Sequence, residues 1–392
     1  MTPHTAGRLH QRIGLVFAPY RPDEPAGIEH SIAALADGLG TLGHDVTIIA
    51  AGPARCPDDS RVVRLGSLRL PPLLHPDAFD AAITEASGLA AELDAIGHQR
   101  RFDIVCWMDS RWGLGFLGRP DAPRTGLMVH VLTGCEPQIA VALRQRPDVV
   151  LAPSETVIEQ AVDCGLSTGR WRIVPNALLL TGSSVAAPPQ DVREILRRES
   201  PVRVLARLAP DKGVVPLLQQ VPAWWQRPIE AALAEASFEY YPGMHADLWR
   251  LYRATANASP AVRIVPPRRW VQVRPFLAEA AVVIVPSLAE SFGLVALEAL
   301  SVGTPVIAYA VGNLPALVGR AGVLVPTAGG PLGLWLAANW LLADTDAYHA
   351  AAAEGPPRAV PFTPTAVARM WLASFLDNTS AYPDHHAGDG AP

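Results

Sequence analysis

Two glutamates, Glu290 and Glu298, stand eight residues apart in the stretch PSLAESFGLVALEALSVGTPV. At a helical rise of about 1.5 Å per residue, that spacing is roughly 12 Å. Carboxylates that work together on one bond in glycoside hydrolysis lie about 5 to 9.5 Å apart. The two carboxylates therefore suit opposite ends of one extended ligand better than a single reacting bond. Between them, Phe292, Gly293 and Leu294 open an apolar-periodic helix, whose first backbone N–H groups have no partner inside the helix and so form an anion site. A glycine at that point lets a ligand come close to the backbone. A second stretch, VLARLAPDKGVVPLL, carries Arg207 at the end of an apolar run and Lys212 in the turn after it. One is a planar fork and the other a point charge, and together they suit phosphate oxygens.

These groups need strand ends to hold them. Arg12–Ala18, Asp45–Ala50, Phe102–Trp107, Thr125–Leu132, Val149–Ala152 and Arg172–Val174 read as short buried strands, and Ile28–Leu42 reads as a helix. That alternation predicts an α/β fold with a doubly wound parallel sheet. The pattern lapses near Thr181 in a polar, proline-bearing stretch that includes a short helix near Asp191–Arg198, then resumes. Val202–Ala206, Ile229–Ala234, Val262–Val265, Ala281–Val285, Pro305–Ala308 and Gly322–Val325 are the strands of a second Rossmann-like unit. The expected division is an N-terminal domain over 1–183, a linker over 184–200, a C-terminal domain over 201–361, a last helix over 362–378 that crosses back, and a disordered tail over 379–392. A length of 392 residues at 49% hydrophobic content supports two cores.

A formal charge of −5 gives no general pull toward nucleic acid or anionic membrane, so phosphate binding must rest on a few placed cations. The four cysteines, Cys56, Cys106, Cys135 and Cys164, show neither a disulfide framework nor zinc-ligand spacing. The first residues lack the apolar core of a signal peptide, and no apolar run is long enough to span a membrane. A cytoplasmic protein without a stable membrane anchor is expected.

ESFGLVALEALSVGTPVIA, ARLAPDKG, IVPNAL and PAGIEHSIAALADGLGTLGHDVTII together resemble the retaining glycosyltransferases of family 4, which share the GT-B fold of two Rossmann-like domains facing a cleft. The resemblance covers nearly the whole chain in order. It implies that Arg207 and Lys212 grip a donor diphosphate, that Glu298 receives the ribose hydroxyls, and that Glu290 faces the donor sugar. Ser291, Phe292, Gly293 and Leu294 would line the donor through their backbone, and Gly27 would approach the diphosphate from the other domain. His130 would contact the sugar or acceptor, and Asn176 would shape a turn near the hinge. Three departures stand out: Ala26 where the family has glycine, Asn176-Ala177 in place of Asn-Gly, and IEAALAEASFEYYPGMHADLW where an apolar strand and Gly-x-Gly are usual. The last leaves the base open; a UDP-sugar is the first expectation and a GDP-sugar the second.

The implied reaction transfers a hexose with retention to a soluble small-molecule hydroxyl, without cofactor or metal. The D-x-D at Asp344–Asp346 lies far downstream and reads as a helix cap or solvated charge. The helix from Gly27 to Asp45 has no Lys or Arg, unlike one built to lie on anionic lipid. Asp23, Glu24, Asp109 and Glu136 are candidates to pair with a cationic acceptor such as an aminocyclitol, as in antibiotic-tailoring relatives. Two rivals share a two-domain frame: a nucleotide-sugar epimerase and a non-catalytic sugar-binding protein. An NAD-dependent enzyme is disfavoured because no GxGxxG follows either first strand.

Overall fold

The computed structural model describes residues 10–54, 57, 60–120, 122–132, 137–180 and 185–376. Two wholly parallel sheets organise the chain. Strands β1 (Arg12–Val16), β2 (Asp45–Ala50), β3 (Val62–Arg64), β4 (Ile104–Trp107), β5 (Arg124–Met128), β6 (Val149–Ala152) and β7 (Trp171–Ile173) form the first. Their order is β3-β2-β1-β4-β5-β6-β7. Strands β8 (Val202–Arg207), β9 (Ile229–Ala234), β10 (Val262–Val265), β11 (Val283–Val285), β12 (Val306–Tyr309) and β13 (Gly322–Val325) form the second, ordered β10-β9-β8-β11-β12-β13. Each order reverses once, between β1 and β4 and between β8 and β11, and such reversal points open the crevices where doubly wound sheets bind ligands. This is the GT-B arrangement that the resemblance implies.

The helices of the first unit are α1 (Gly27–Thr41), α2 (Pro76–Glu85), α3 (Leu89–Arg100), α4 (Pro137–Arg144) and α5 (Glu155–Asp163). The second unit carries α6 (Gln190–Glu199), α7 (Val214–Gln219), α8 (Met244–Ala258), α9 (Trp270–Ala278), α10 (Leu294–Ser301), α11 (Leu314–Val318), α12 (Gly330–Ala343) and α13 (Thr345–Ala359). Helix α6 extends the short helix expected in the linker, and it is fixed to the second unit by the buried Arg193, which donates to the carbonyls of Ala280, Ala278 and Val302. The last helix, α14 (Pro364–Leu376), returns to the first unit. There its Trp371 and Phe375 join the core of Ile13, Leu15, Ile48 and Ile104.

Several expected strands shorten at their ends, as fraying boundaries do, and β3 escapes the apolar pattern because its residues are only half buried. Cys164 is disulfide-bonded, which corrects the expectation of unlinked thiols, whereas Cys106 is free and buried. Cysteine spacing cannot register pairing between segments that meet only in the fold. Asp344 caps α13 by accepting from Ala347 N at 2.9 Å, as its sequence position suggested. The expected tail and Glu136 lie outside the described residues.

Gly38 shows how tightly α14 docks: a Cβ there would fall 2.1 Å from the carbonyl oxygen of Pro364, whereas Gly40 on the same helix meets nothing within 4 Å. Gly38→Ala is therefore expected to cost about 1–3 kcal/mol in urea denaturation through overpacking. Gly40→Ala should be neutral or stabilise by up to about 1 kcal/mol through helix propensity. Equal effects would mean that α14 does not seat on α1 in this way.

Candidate functional site

The second sheet's reversal point brings together the loops after β8 and β11. Gly213 is left-handed (φ 63°), and a Cβ there would lie 2.1 Å from the carbonyl oxygen of Pro286, so only glycine lets the loops meet. Leu288 N then donates to Asp211 O at 2.8 Å. Lys212 Nζ donates to Glu290 Oε2 at 2.9 Å, with both side chains largely covered. The loop carrying Glu290 is held from behind: Asn313 N donates to Glu290 O, and Asn313 Nδ2 to Phe292 O. Gly293 (φ 102°) is the N-cap of α10, and no side chain caps the helix. The first N–H groups of α10 therefore remain free of intrahelical partners.

Arg207 leaves the end of β8 beside this loop. One of its nitrogens donates to Tyr240 Oη at 2.5 Å and lies 3.4 Å from Asp211 Oδ2, and its guanidinium carbon sits 5.2 Å from the Tyr240 ring centroid. Its other terminal nitrogen is buried without a partner. Burial works against the cation, but Tyr240, Asp211 and Glu290 outweigh it, so the pKa is raised and the charge is secure. Arg207, Lys212, Glu290 and the α10 terminus thus lie together, as the family resemblance implies.

Glu298 sits elsewhere in the network. It is buried, and its Oε1 lies 3.3 Å from Nδ1 of His30, which belongs to the first unit. The His30 ring meets Trp270 edge-on at 4.8 Å between centroids. The start of α1 is close by: a Cβ on Gly27 would stand 3.2 Å from Leu294 Cδ1. Ala26 is extended (φ −131°), a conformation open to any residue, so alanine in place of glycine needs no change of turn here.

The stretch that departs from the family pattern spans the cleft. Leu74 and Phe238 form a parallel β-bridge, Phe238 packs on Trp112, and Ser237 donates through N and Oγ to the carboxylate of Glu24. Asp23 adopts a left-handed conformation (φ 63°), a costly one for a non-glycine residue. It accepts from Trp270 N at 2.7 Å and pairs with Arg269. Asp109 accepts from the backbone of Arg111 and Trp112. Of the carboxylates considered for an amine acceptor, the three described ones, Asp23, Glu24 and Asp109, are thus committed to contacts within the protein.

His130 lies two residues beyond the end of β5, almost fully buried, with both ring nitrogens unpartnered. Burial pulls its pKa down to about 4, so the ring is neutral at physiological pH. Asn176 accepts from Ser31 Oγ at 2.9 Å inside the first unit, a structural role. Ser154, at the end of β6, donates across the cleft to Ser291 O at 2.6 Å. Sequence reasoning missed His30, Ser154, Tyr240 and Trp270, because each acts through a partner far away along the chain; the places of His30, Ser154 and Trp270 at helix starts were the only hint, and Tyr240, inside a loop, gave none.

Comparison with known proteins bears on this geometry. A model described as Glycosyltransferase Family 4 matches residues 25–178, and one described as Glycosyl transferases group 1 matches residues 202–344. A D-inositol 3-phosphate glycosyltransferase of a Nocardioides species is 51% identical over 73 residues, 18% of this chain but only 16% of the relative. That of Acidothermus cellulolyticus is 27% identical over 361 residues, covering 77% of this chain and 75% of the relative. The fold is similar to sucrose-phosphate synthase of Thermosynechococcus elongatus, with a TM-score of 0.72, 22% identity, and coverage of 92% of this chain and 97% of that one. It is also similar to HepE of Anabaena in complex with UDP-glucose, with a TM-score of 0.65, 17% identity, and coverage of 93% and 98%.

The depressed pKa of His130 has a direct consequence. Its ring should stay neutral and show no titration in heteronuclear NMR until pH falls to about 4. Stability that depends on the neutral ring is fully present above the ordinary histidine range and is lost as pH falls toward the folded pKa. A titration midpoint near the ordinary histidine value would show that the ring reaches solvent.

Proposed function

The chain is a glycosyltransferase of the group 1 and family 4 type with the GT-B fold, and we propose that it moves a hexose from a UDP-sugar to a hydroxyl of a soluble cyclitol-type polyol, with retention and without a metal. One observation carries this reading. Arg207, with an unpartnered buried nitrogen, Lys212, and the uncapped N-terminus of α10 converge where the second sheet reverses its strand order. In this scheme the donor diphosphate lies on these groups. As the bond between the sugar and the phosphate breaks, negative charge grows on the leaving nucleotide, and fixed cations and helix amides stabilise it without having to reorganise. Glu290 faces the sugar and holds Lys212 in place until phosphate competes for it. Glu298 takes the ribose hydroxyls once His30 has moved aside.

The acceptor hydroxyl attacks from the face the nucleotide leaves, and its proton passes to a phosphate oxygen. The neutral His130 orients the sugar or acceptor by hydrogen bonding and does not act as the base. A UDP donor is supported by the likeness to HepE bound to UDP-glucose, and a cyclitol by the named activity of the inositol-phosphate relatives. A cationic, antibiotic-type acceptor draws little support, since Asp23, Glu24 and Asp109 already have partners. A soluble acceptor and a cytoplasmic site of action belong to this proposal; no helix of the described residues is long and apolar enough to cross a membrane.

The test is a mass-spectrometric screen of nucleotide-sugar donors against polyol acceptors, with and without EDTA. Transfer that survives chelation is expected; an absolute metal requirement would overturn the metal-free scheme. Lys212→Ala should lower kcat by about 10²-fold or more, as loss of a group that stabilises transition-state charge does. Glu298→Gln should chiefly raise the donor KM, by about tenfold or more for a charged hydrogen bond. Wild-type kinetics in both variants would remove the site assignment.

A further inference from the structure

Tyr240 lies in the stretch where the family pattern breaks, so the resemblance implies no task for it. Its ring is 45% exposed, too open to carry much of a core, yet its hydroxyl is committed. Arg207 Nη2 donates to Tyr240 Oη at 2.5 Å, whereas the other acceptor of that nitrogen, Asp211 Oδ2, lies at 3.4 Å. An N–H···O bond is ordinarily about 2.7–3.2 Å long, so Tyr240 and not Asp211 decides where this edge of the guanidinium is held. The guanidinium carbon also stands 5.2 Å from the ring centroid, within cation–π reach. Because the fork is planar and rigid, fixing Nη2 fixes Nη1, the buried nitrogen that has no partner. Tyr240 is in turn held from the first unit. Phe238 meets its ring edge-on at 5.2 Å and meets Trp112 of the first unit at 5.7 Å. On either side of Phe238, Leu74 N donates to Ser237 O and Glu239 N donates to Leu74 O, both at 2.9 Å. The loop is thus a strut that rests on the first unit and carries at its tip the hydroxyl that Arg207 reaches.

We propose that Tyr240 is a positioning residue for the donor diphosphate: it draws one edge of the Arg207 fork away from Asp211, so that Nη1 is left for phosphate. The proposal rests on the diphosphate site described above. An arginine and a carboxylate this close ordinarily close a two-bond fork, which is among the stronger pairings in proteins. Here the fork stays open. Asp211 Oδ1 and Arg207 Nη1 are both buried without a partner, and the one contact between the two side chains is the long one at 3.4 Å. Without the tyrosine hydroxyl, nothing else among the described residues would hold Nη2 away, and Asp211 would compete with phosphate for the whole guanidinium.

The test uses the full chain with UDP and GDP as probes, and the tighter binder is carried through the variants. Affinity is measured by calorimetry, or by NMR titration where it is weak. Tyr240→Phe keeps the ring and loses the hydroxyl; it should weaken binding by about tenfold, the low end for a hydrogen bond to a charged group. Tyr240→Ala loses the cation–π contact as well and should weaken binding about two- to fivefold further. In an Arg207→Ala background, Tyr240→Phe should have no effect, because the residue acts only through that arginine. Adding Asp211→Asn to Tyr240→Phe should recover part of the loss, since a neutral amide cannot close the charged fork. Wild-type affinity in Tyr240→Phe, an equal loss in both backgrounds, as a merely structural role would give, or no recovery with Asp211→Asn would overturn the proposal. Arg207→Ala separates the two levels. If it loses affinity while Tyr240→Phe binds as the wild type does, only the role of Tyr240 fails. If Arg207→Ala binds as the wild type does, or the wild type binds neither probe, the diphosphate site itself is misplaced, and the proposal fails with it.

Discussion

The contact between Lys212 and Glu290 is the hinge-pin of the candidate site. It joins the two loops that leave the second sheet on either side of its strand-order reversal, and each loop is shaped so that the two side chains can meet. Gly213 admits the carbonyl of Pro286, and Gly312, left-handed at φ 52°, admits that of Glu290, where a Cβ would come within 1.8 Å. With both side chains less than one-fifth exposed, losing either partner would leave a charge poorly solvated, which costs more than the pair contributes. The pair therefore fixes an ammonium group at a defined point between the two loops.

The same logic extends across the cleft. In the first sheet, the reversal lies between β1 and β4, and the loops after these strands carry Asp23, Glu24 and Asp109. The first two bind the loops of the second unit at Ser237, Arg269 and Trp270, while Asp109 braces its own turn. Two reversal points facing each other define a cleft whose walls are rigid strand ends and whose contents are short loops. That division suits a two-substrate reaction, because each unit can present one reactant while the sheets hold the geometry.

Much of this was legible in the residues. The strand run at Ala281–Val285 was plain because fully buried parallel strands read as unbroken apolar stretches, whereas Ile229–Ala234, broken by Glu230, was the least certain of the second set. Arg207 and Lys212 could be placed together because strand-end position and loop length are local properties, whereas Glu290 joined them only through the family resemblance. His30 could not, since a histidine inside an apolar helix looks like any core residue, and its carboxylate partner lies 268 positions away. The loop around Phe238 and Tyr240 was visible only as a departure from pattern. Its work, a β-bridge to Leu74 and an edge-on contact with Trp112, depends on how the two units dock, and no periodicity encodes that.

Docking also explains why Glu298 is covered. Across the cleft its partner is a histidine on α1, backed by Trp270, and the surrounding ties are Asp23 to Arg269 and Glu24 to Ser237. Arg269 is about two-thirds exposed, and exposed ion pairs contribute only about 0–1 kcal/mol each. Among the described residues, contact across the cleft is thus spread over several separate side chains, some buried and some exposed. In the proposed scheme the ligand exchanges the contact between His30 and Glu298 for its own, and the cost of that exchange lowers the affinity it shows.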